Sequence, residues 1–329
     1  MLVRELCSRV VLSPYPWICL FQCVHWRYET VKHLSRKEFR SITGLSQRNF
    51  EVLYKFLGGD RVVDRLKYDY KSGTPKRTNS ILSGKDKLLL TLIRLRTGFR
   101  VVDLAVVFGV SQATASTIFY VFIQFMSLQF GRIRKRMCVS RHNQPTWKIA
   151  KCFQPYKNFR MVLDTTSIHI QRPYNYRQQG NTYSSYKGDC VVNILVGITG
   201  WGSVAYVSDA FEGAISDRAL LDVSGLKDLL EPGDLILVDR GFNIQDMMDE
   251  IGVKVLHPPF LGKRKKLSRE EVLLTRTIAS SRVHVERAIR KIKCFHLLKR
   301  ITNKMLPIVS QLFFVAACLT NFDPNNITL

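Results

Sequence analysis

The sequence has few acidic residues for its size. It contains 26 Asp and Glu against 50 Lys and Arg, so its formal net charge is +24 and its pI is about 9.9. A positive field of this strength attracts polyanions and is seldom needed for folding. A membrane surface is the weaker candidate, because the sequence shows neither a basic amphipathic helix nor a lipidation signal. We therefore expect a nucleic acid, in particular double-stranded DNA, as the partner.

Cysteines at zinc-binding spacing are also absent. The eight cysteines are scattered and form no Cys-x-x-Cys pair, which predicts reduced intracellular thiols. Cys19, Cys23 and His25 lie close together in sequence, but a fourth zinc ligand at finger spacing is missing. No glycine-rich loop of the Gly-x-Gly-x-x-Gly or Gly-x-x-x-x-Gly-Lys type follows a predicted strand, which argues against the common nucleotide-binding loops.

Long uninterrupted apolar runs are missing as well. The run from Val10 to Trp26 is broken by two prolines, Gln22 and His25, and it lacks the cleavage pattern of a signal peptide. A second apolar run at 306–319 is short and typical of a core helix. We expect no membrane segment. We expect the protein in the nucleus, with the cytoplasm as a second location, and a basic stretch at 132–136 is a candidate import signal.

The length and composition favour more than one folded unit. With 329 residues and 46% hydrophobic content, the chain is long enough for one large core and a smaller domain. We predict a helical or partly disordered segment with a linker at 1–82 and a helix-turn-helix DNA-binding domain at 83–130. A basic linker at 131–158 and a larger α/β domain at 159–322 follow.

The residues after the first linker have the spacing of three helices. Ser83 is placed to cap the first helix, which Gly98 ends. The second helix spans 101–108, and Ser111 is placed to cap the third, which runs to about residue 126. This spacing is typical of a helix-turn-helix, although three helices that merely pack together remain an alternative.

A DNA-binding helix-turn-helix would use its polar and basic side chains in different ways. The first turn of the third helix would present three residues to base edges: Gln112, Thr114 and Ser116. Three cations of the preceding helices would hold phosphates: Arg94, Arg96 and Arg100. The basic stretch 131–151, which contains Trp147, is either a connector that lies on DNA or a solvated linker.

The second half of the chain predicts a mixed five-stranded sheet with flanking helices. The first strand begins at Phe159 and ends at Asp164, with a continuation past a kink. The runs 190–198 and 203–207 form a hairpin antiparallel to it. A crossover through a helix makes the run 234–239 parallel to the first strand, and 253–256 is the fifth strand.

Three acids in this domain form a candidate divalent-metal site. Asp164 and Asp239 each close an apolar run, and Glu286 lies among cations in a stretch with helical periodicity. Phosphodiester cleavage needs charge neutralisation on the attacking and leaving oxygens, which two Mg²⁺ ions held by hard oxygen ligands can supply. A rival third acid is Glu271, although its spacing from Ser268 is also typical of a helix cap. We expect a helix break at 280–281, before Glu286.

These residues stand in a series of motifs that resembles the PIF/Harbinger transposases and the nucleases derived from them, which belong to the DDE superfamily. The motifs are Leu163-Asp164-Thr165-Thr166, Gln171-Arg172-Pro173, Tyr186-Lys187-Gly188, Val238-Asp239-Arg240-Gly241-Phe242, and the stretches 213–217, 230–234, 278–293 and 319–322. They occur in order over roughly half of the chain. The resemblance implies a ribonuclease-H-like core and a helix-turn-helix before it.

The resemblance also implies roles for single residues. Asp164 would bridge two Mg²⁺ ions, for which Mn²⁺ can substitute, and Asp239 and Glu286 would each complete one ion. A cationic border next to Glu286 is suited to DNA: Arg282, Arg290 and Lys293. One departure is Ser167, where some relatives have an acid.

The implied activity is a DDE-type endonuclease, in which water attacks a terminal phosphodiester and the freed 3′-hydroxyl then attacks target DNA. A domesticated, catalytically silent DNA-binding protein is the alternative. A separate DNA-binding partner protein and a homo-oligomer also remain open.

Overall fold

The computed structural model describes residues 25–66, 81–239, 241–259, 266 and 268–322. The chain divides into two compact units, 1–122 and 123–329. The predicted N-terminal segment is described only from His25 onward, and the stretch 67–80 of the predicted linker lies outside the described residues. The four predicted domain boundaries stay predictions.

The described part of the first unit is helical. Its elements are α1 (Tyr28–Val31), α2 (Arg36–Thr43), α3 (Gln47–Phe56), α4 (Gly59–Val63), α5 (Gly84–Thr97) and α6 (Val101–Phe108), and α7 (Gln112–Gly131) begins in it. Serine hydroxyls cap four of these helices by accepting a backbone N–H three residues on, at Ser35, Ser46, Ser83 and Ser111. Buried aromatic rings, among them Phe39, Phe50 and Phe119, fill the core. The hydrophobic side chains that these helices bury hold them together.

The predicted helix-turn-helix is present, as α5, α6 and α7. Gly98 and Gly109 end α5 and α6 in the left-handed conformation, with φ of 76° and 61°, which glycine adopts without steric cost. Ser111 Oγ accepts the N–H of Thr114 at 3.1 Å and caps α7. Helix α7 runs to Gly131, beyond the predicted end near 126, because Phe130 continues its buried stripe.

The described part of the second unit is built on an eight-stranded sheet, which has three more strands than the predicted five. The strands are β1 (Phe159–Ile170), β2 (Tyr183–Ser184), β3 (Asp189–Ile198), β4 (Val204–Val207), β5 (Phe211–Glu212), β6 (Leu235–Leu237), β7 (Lys254–Leu256) and β8 (Arg300–Ile301). The main strands lie in the order β4-β3-β1-β6-β7. Strand β1 pairs antiparallel with β3 and parallel with β6, and β7 is parallel to β6. The predicted mixed α/β fold and its strand directions are therefore confirmed.

Helices flank this sheet: α8 (Arg134–Met137), α9 (Tyr176–Thr182), α10 (Asp217–Val223), α11 (Gln245–Asp249), α12 (Arg269–Lys293) and α13 (Val309–Thr320). Leu220 and Met248, from α10 and α11, belong to one core cluster with Leu163 and Ile236 of the sheet. The final helix α13 is almost wholly buried. By length and composition alone, Gln112–Gly131 and Asn303–Thr320 would also be able to cross a membrane, a property that core helices share.

Two local predictions were wrong. Strand β1 runs from Phe159 to Ile170 with no interruption after Asp164, because β3 pairs with it in regular register from Val162 to His169. Helix α12 is unbroken over 25 residues. Ser281, in the middle of α12, is buried, and its hydroxyl donates to the Cys152 carbonyl at 3.4 Å. The helix is therefore continuous and packed at the position of the expected break.

The basic stretch 131–158 makes defined contacts inside the second unit. The Arg141 guanidinium donates to the buried carboxylate of Asp234 at 2.9 Å. Arg134 donates to the Val207 carbonyl and lies over the Phe314 ring. These two cations are therefore committed to contacts within the fold.

Candidate functional site

The strand register brings Asp164 and Asp239 to the same edge. The parallel pairing of β1 with β6 ends at Val162 and Leu237. Asp164 and Asp239 each lie two residues beyond this pair. Side chains alternate along an extended chain, so a residue points to the same side as the residue two positions before it. Asp164 and Asp239 therefore point to the same side as Val162 and Leu237. Helix α12, which carries Glu286, packs against β1 and β3.

Arg282 joins two of these acids. Its Nη2 lies 3.1 Å from Asp239 Oδ2 and 3.6 Å from Glu286 Oε1, one helical turn further along α12. The predicted role of Arg282 at a DNA-binding border stays a prediction. The sequence identified the cation, but its pairing depends on the loop after β6 reaching α12.

The environment of Asp164 shows that the three acids interact. Burial raises the pKa of Asp164 to about 6, and the negative charges of Asp239 and Glu286 add to the effect. The Arg282 guanidinium and the Thr165 N–H oppose it. A carboxyl that loses hydration beside two other carboxylates binds its proton more tightly. The predicted triad is therefore one electrostatic cluster, which we call the acid cluster: Asp164, Asp239 and Glu286.

The chemistry of the acid cluster fits a hard divalent cation, because all three donors are carboxylates. Among the described residues, no group of three His, Cys, Asp or Glu is arranged closely enough to hold a metal ion. The Arg282 guanidinium instead supplies the positive charge on Asp239 and Glu286. The residue types fit such an ion, and the side chains would need to turn inward to hold it.

Cations surround the acid cluster. Loss of hydration and the nearby Lys187 ammonium lower the pKa of Lys293, whereas Asp164 acts in the opposite direction. Lys293 was predicted at this border, and Arg290 on the same helix is exposed. Lys187 was missed as a site residue, although it lies in the Tyr186-Lys187-Gly188 motif. Its approach to Lys293 depends on the turn between β2 and β3.

Two nearby residues have structural partners. Ser167 Oγ donates to Asn193 Oδ1 at 2.8 Å across the β1–β3 pair. Glu271, the rival third acid, forms a capping box with Ser268: its carboxylate accepts the Ser268 N–H at 2.8 Å, and its own N–H donates to Ser268 Oγ at 3.1 Å. Its carboxylate is engaged at the start of α12, four turns before Glu286.

The helix-turn-helix residues differ in accessibility. Gln112 and Thr114 are exposed in the first turn of α7, whereas Ser116 is half-buried. Arg100 is exposed and pairs with Asp103 at 2.8 Å, and Arg96 is half-buried.

Arg94 is a correction to the predicted phosphate-binding cations. It is 6% exposed, and its guanidinium carbon lies 4.3 Å from the centre of the Phe119 ring. Burial lowers the pKa of Arg94 to about 10. Its Nε and Nη1 have no hydrogen-bond partner. Arg94 was predicted to hold phosphate as a cation before the third helix, but its guanidinium packs against Phe119 of α7.

Comparison with known proteins agrees with this geometry. Residues 163–321 match the family model of the DDE superfamily endonuclease, and residues 81–131 match the helix-turn-helix of DDE superfamily endonuclease. The chain is 22% identical over 274 residues to a "Probable transposase for insertion sequence element IS702" from Microchaete diplosiphon. The aligned region covers 83% of this chain and 89% of that relative. No solved structure is significantly similar to it. Residues 163–321 are therefore similar to DDE superfamily endonucleases, and residues 81–131, which precede them, to the helix-turn-helix of the same superfamily.

Proposed function

We propose that this protein is a metal-dependent DNA endonuclease of the PIF/Harbinger transposase type. The observation that carries the proposal is the convergence of Asp164, Asp239 and Glu286 into one acid cluster in a domain that matches the DDE superfamily endonucleases. The net charge of +24 supports a DNA substrate.

In this proposal the acid cluster holds two divalent ions, with Mg²⁺ favoured by the carboxylate donors. When bound, the ions would neutralise charge on the attacking and leaving oxygens of the phosphodiester. Above pH 6 Asp164 is ionised and can act as a ligand. Without the ions, Arg282 offsets the charge of Asp239 and Glu286.

The surrounding cations would hold and orient the DNA. Arg290, Lys293 and Lys187 border the acid cluster and would contact phosphates on either side of the cut. The water loses a proton as its oxygen bonds to phosphorus, the bond from phosphorus to the 3′-oxygen breaks, and that 3′-oxygen takes up a proton. In strand transfer, the freed 3′-hydroxyl would lose its proton and bond to a phosphorus of the target DNA, whose own 3′-oxygen would leave and take up a proton.

Cleavage of duplex DNA that carries matched terminal repeats tests the proposal. Purified full-length protein with Mg²⁺ or Mn²⁺ should nick the ends, and Asp239→Asn should lower the rate by on the order of 10²–10³-fold. Glu250→Gln, which removes an exposed carboxylate next to α11, is the matched control and should cleave normally.

Two results would count against the proposal. Equal cleavage by Asp239→Asn would show that the acid cluster is not the site. Salt-dependent DNA binding without metal-stimulated cleavage on any substrate would favour the catalytically silent DNA-binding protein.

A further inference from the structure

Residues 171–188, between β1 and β3, are rich in exposed tyrosine and contain no Asp or Glu. We call them the tyrosine segment. Tyr174, Tyr176 and Tyr186 have exposed fractions of 87%, 88% and 88%, and Tyr183 is 47% exposed. Three cations accompany the rings: Arg172, Arg177 and Lys187. Single exposed aromatic residues are ordinary, but a group of them in one short segment marks an interaction surface.

The backbone of the tyrosine segment is anchored at several points. Gln171 N–H donates to the Ile301 carbonyl at 2.7 Å, and the Asn175 side chain caps α9. The Asn181 amide donates to Glu212 at 2.9 Å. Strand β2 pairs with the start of β3. The ordered backbone of the tyrosine segment therefore presents the tyrosine rings to solvent at defined positions.

The chemistry of the tyrosine segment matches a nucleic-acid strand. Lys187 Nζ lies 4.6 Å from the centre of the Tyr186 ring, so a cation and an aromatic face are presented together. Proteins that bind single strands combine cations for the phosphates with aromatic rings on which bases stack. The bases of an intact duplex are already stacked on each other, so the free ring faces fit unpaired bases.

The position of the tyrosine segment relates it to the acid cluster. Strand β3 leaves β2 at Cys190, and the next residue, Val191, lies opposite His169 on β1. His169 is five residues from Asp164 along β1, roughly 17 Å in an extended strand. That distance corresponds to about five nucleotides at the axial spacing of B-DNA. The influence of both Lys187 and Asp164 on the pKa of Lys293 agrees with this proximity.

We propose that the tyrosine segment binds an unpaired DNA strand a few nucleotides from the cut bond, with Tyr174, Tyr176 and Tyr186 stacking on its bases. This inference rests on the proposed function, because the acid cluster defines where the cut lies. It assigns the protein a preference for DNA whose ends are frayed or opened.

The test compares two fluorescent DNA probes with equal paired length, one fully paired and one with unpaired thymidine arms. Their dissociation constants for the full-length protein are measured by anisotropy without divalent metal. The wild type should bind the armed probe more tightly. Tyr174→Ala, Tyr176→Ala and Tyr186→Ala should each weaken binding of that probe by about tenfold and leave the paired probe unchanged.

Two controls separate stacking from other effects. Tyrosine-to-phenylalanine variants at the same positions should keep the wild-type preference, because stacking needs the ring and not the hydroxyl. Val223→Ala removes a 55% exposed apolar side chain at the end of α10, which has no ring and lies outside the tyrosine segment. It should not change the preference between the probes. Thermal unfolding confirms that each variant folds.

The result is independent of cleavage. Equal binding of both probes by the wild type, or alanine variants that keep the preference, would overturn the inference even if the protein cleaves DNA. A tyrosine-dependent preference in a protein that never cleaves would support the inference and contradict the proposed function.

Discussion

At the scale of single residues, the acid cluster balances repulsion among three carboxylates against one guanidinium. Arg282 contacts Asp239 and Glu286 directly, but it reaches Asp164 only as a longer-range charge. Asp164 is also the most deeply placed of the three, which is why burial is the largest cause of its raised pKa. This combination makes Asp164 a residue whose ionisation opposes folding when no metal is bound.

A pH-dependent stability follows from Asp164. Its folded-state pKa of about 6 lies above the unfolded value of about 3.9, so the folded state binds the proton more tightly. Stability is therefore lost as the pH rises from about 4 to about 6. Asp164→Asn should raise the free energy of unfolding of the metal-free protein by about 1–3 kcal/mol at pH 8 and change it little at pH 4.

Urea unfolding in the presence of EDTA at the two pH values measures this effect. Asp249→Asn, at an exposed carboxylate of α11, is the control and should show no such gain. A variant Asp164→Asn that is no more stable than wild type at pH 8 would contradict the raised pKa.

Residue types and the family resemblance predicted the three acids as one group, but they did not predict the partners of the cations. Asp164, Asp239 and Glu286 stand out because acids are scarce among apolar runs and cations. The places of Arg94 and Arg282 depend on neighbours distant in sequence, a helix packed over one and a loop carboxylate beside the other. Sequence spacing contains no information about such contacts, so these two assignments needed the structure.

At the scale of elements, the turn of the helix-turn-helix depends on Gly109. Its φ is +61°, and a Cβ built there would lie 2.5 Å from the His25 ring. His25 precedes a segment that closes on this turn, because Trp26 N–H donates to the Val107 carbonyl and Arg27 donates to Phe108. This closing segment was not foreseen, since nothing in its composition predicts contact with a turn some eighty residues later.

Substitution of Gly109 should therefore be costly for two reasons. Gly59→Ala, at φ of +58° with open space around it, isolates the backbone cost of about 1–2 kcal/mol. Gly109→Ala adds the clash with His25 and should lower stability by at least about 1 kcal/mol more. Thermal unfolding of the two variants measures the difference. Equal losses of stability in Gly59→Ala and Gly109→Ala would show that the segment around His25 moves aside without an energetic cost.

The exposed first turn of α7 predicts a change in DNA sequence preference. If Gln112 contacts a base edge, Gln112→Ala should weaken binding to the preferred site by about 1–3 kcal/mol and leave other duplexes unaffected. Gln124→Ala, an exposed glutamine three turns further along the same helix, should have no effect. Selection from a randomised duplex pool measures preference. Unchanged preference in Gln112→Ala and Thr114→Ala would make the helix-turn-helix structural.

Several helix starts could be predicted because their signals are local. Ser83, Ser111 and Ser268 cap helices at the expected positions. The predictions of a kink in β1 and a break in α12 were wrong because these features depend on contacts between residues distant in sequence. A pair of serines weakens a helix in isolation, but burial of Ser281 against the Cys152 carbonyl keeps α12 continuous.

At the scale of the whole molecule, the net charge of +24 predicts steeply salt-dependent DNA binding. A protein that contacts 6–10 phosphates loses roughly 10³–10⁵ in affinity between 50 and 200 mM salt. We expect a loss of this order for a random duplex. Arg290→Ala should reduce the slope of log affinity against log salt by about one unit.

Lys227→Ala is the matched control for this experiment, because its ammonium is already paired with Asp222. Its salt slope should equal that of the wild type. A slope near zero for the wild type would contradict a binding mode based on phosphate contacts.

The distribution of the acid cluster along the chain has a consequence for protein synthesis. Asp164 belongs to the central strand, Asp239 follows the crossover, and Glu286 arrives only with the last long helix. A growing polypeptide can pair its first strands before α12 has left the ribosome, and translation of the intervening stretch takes several seconds. During that interval the nascent chain lacks its third carboxylate. On the proposed function, the gene product could cut DNA only after nearly all of residues 163–321 had been made, and incomplete copies of the chain would be inactive.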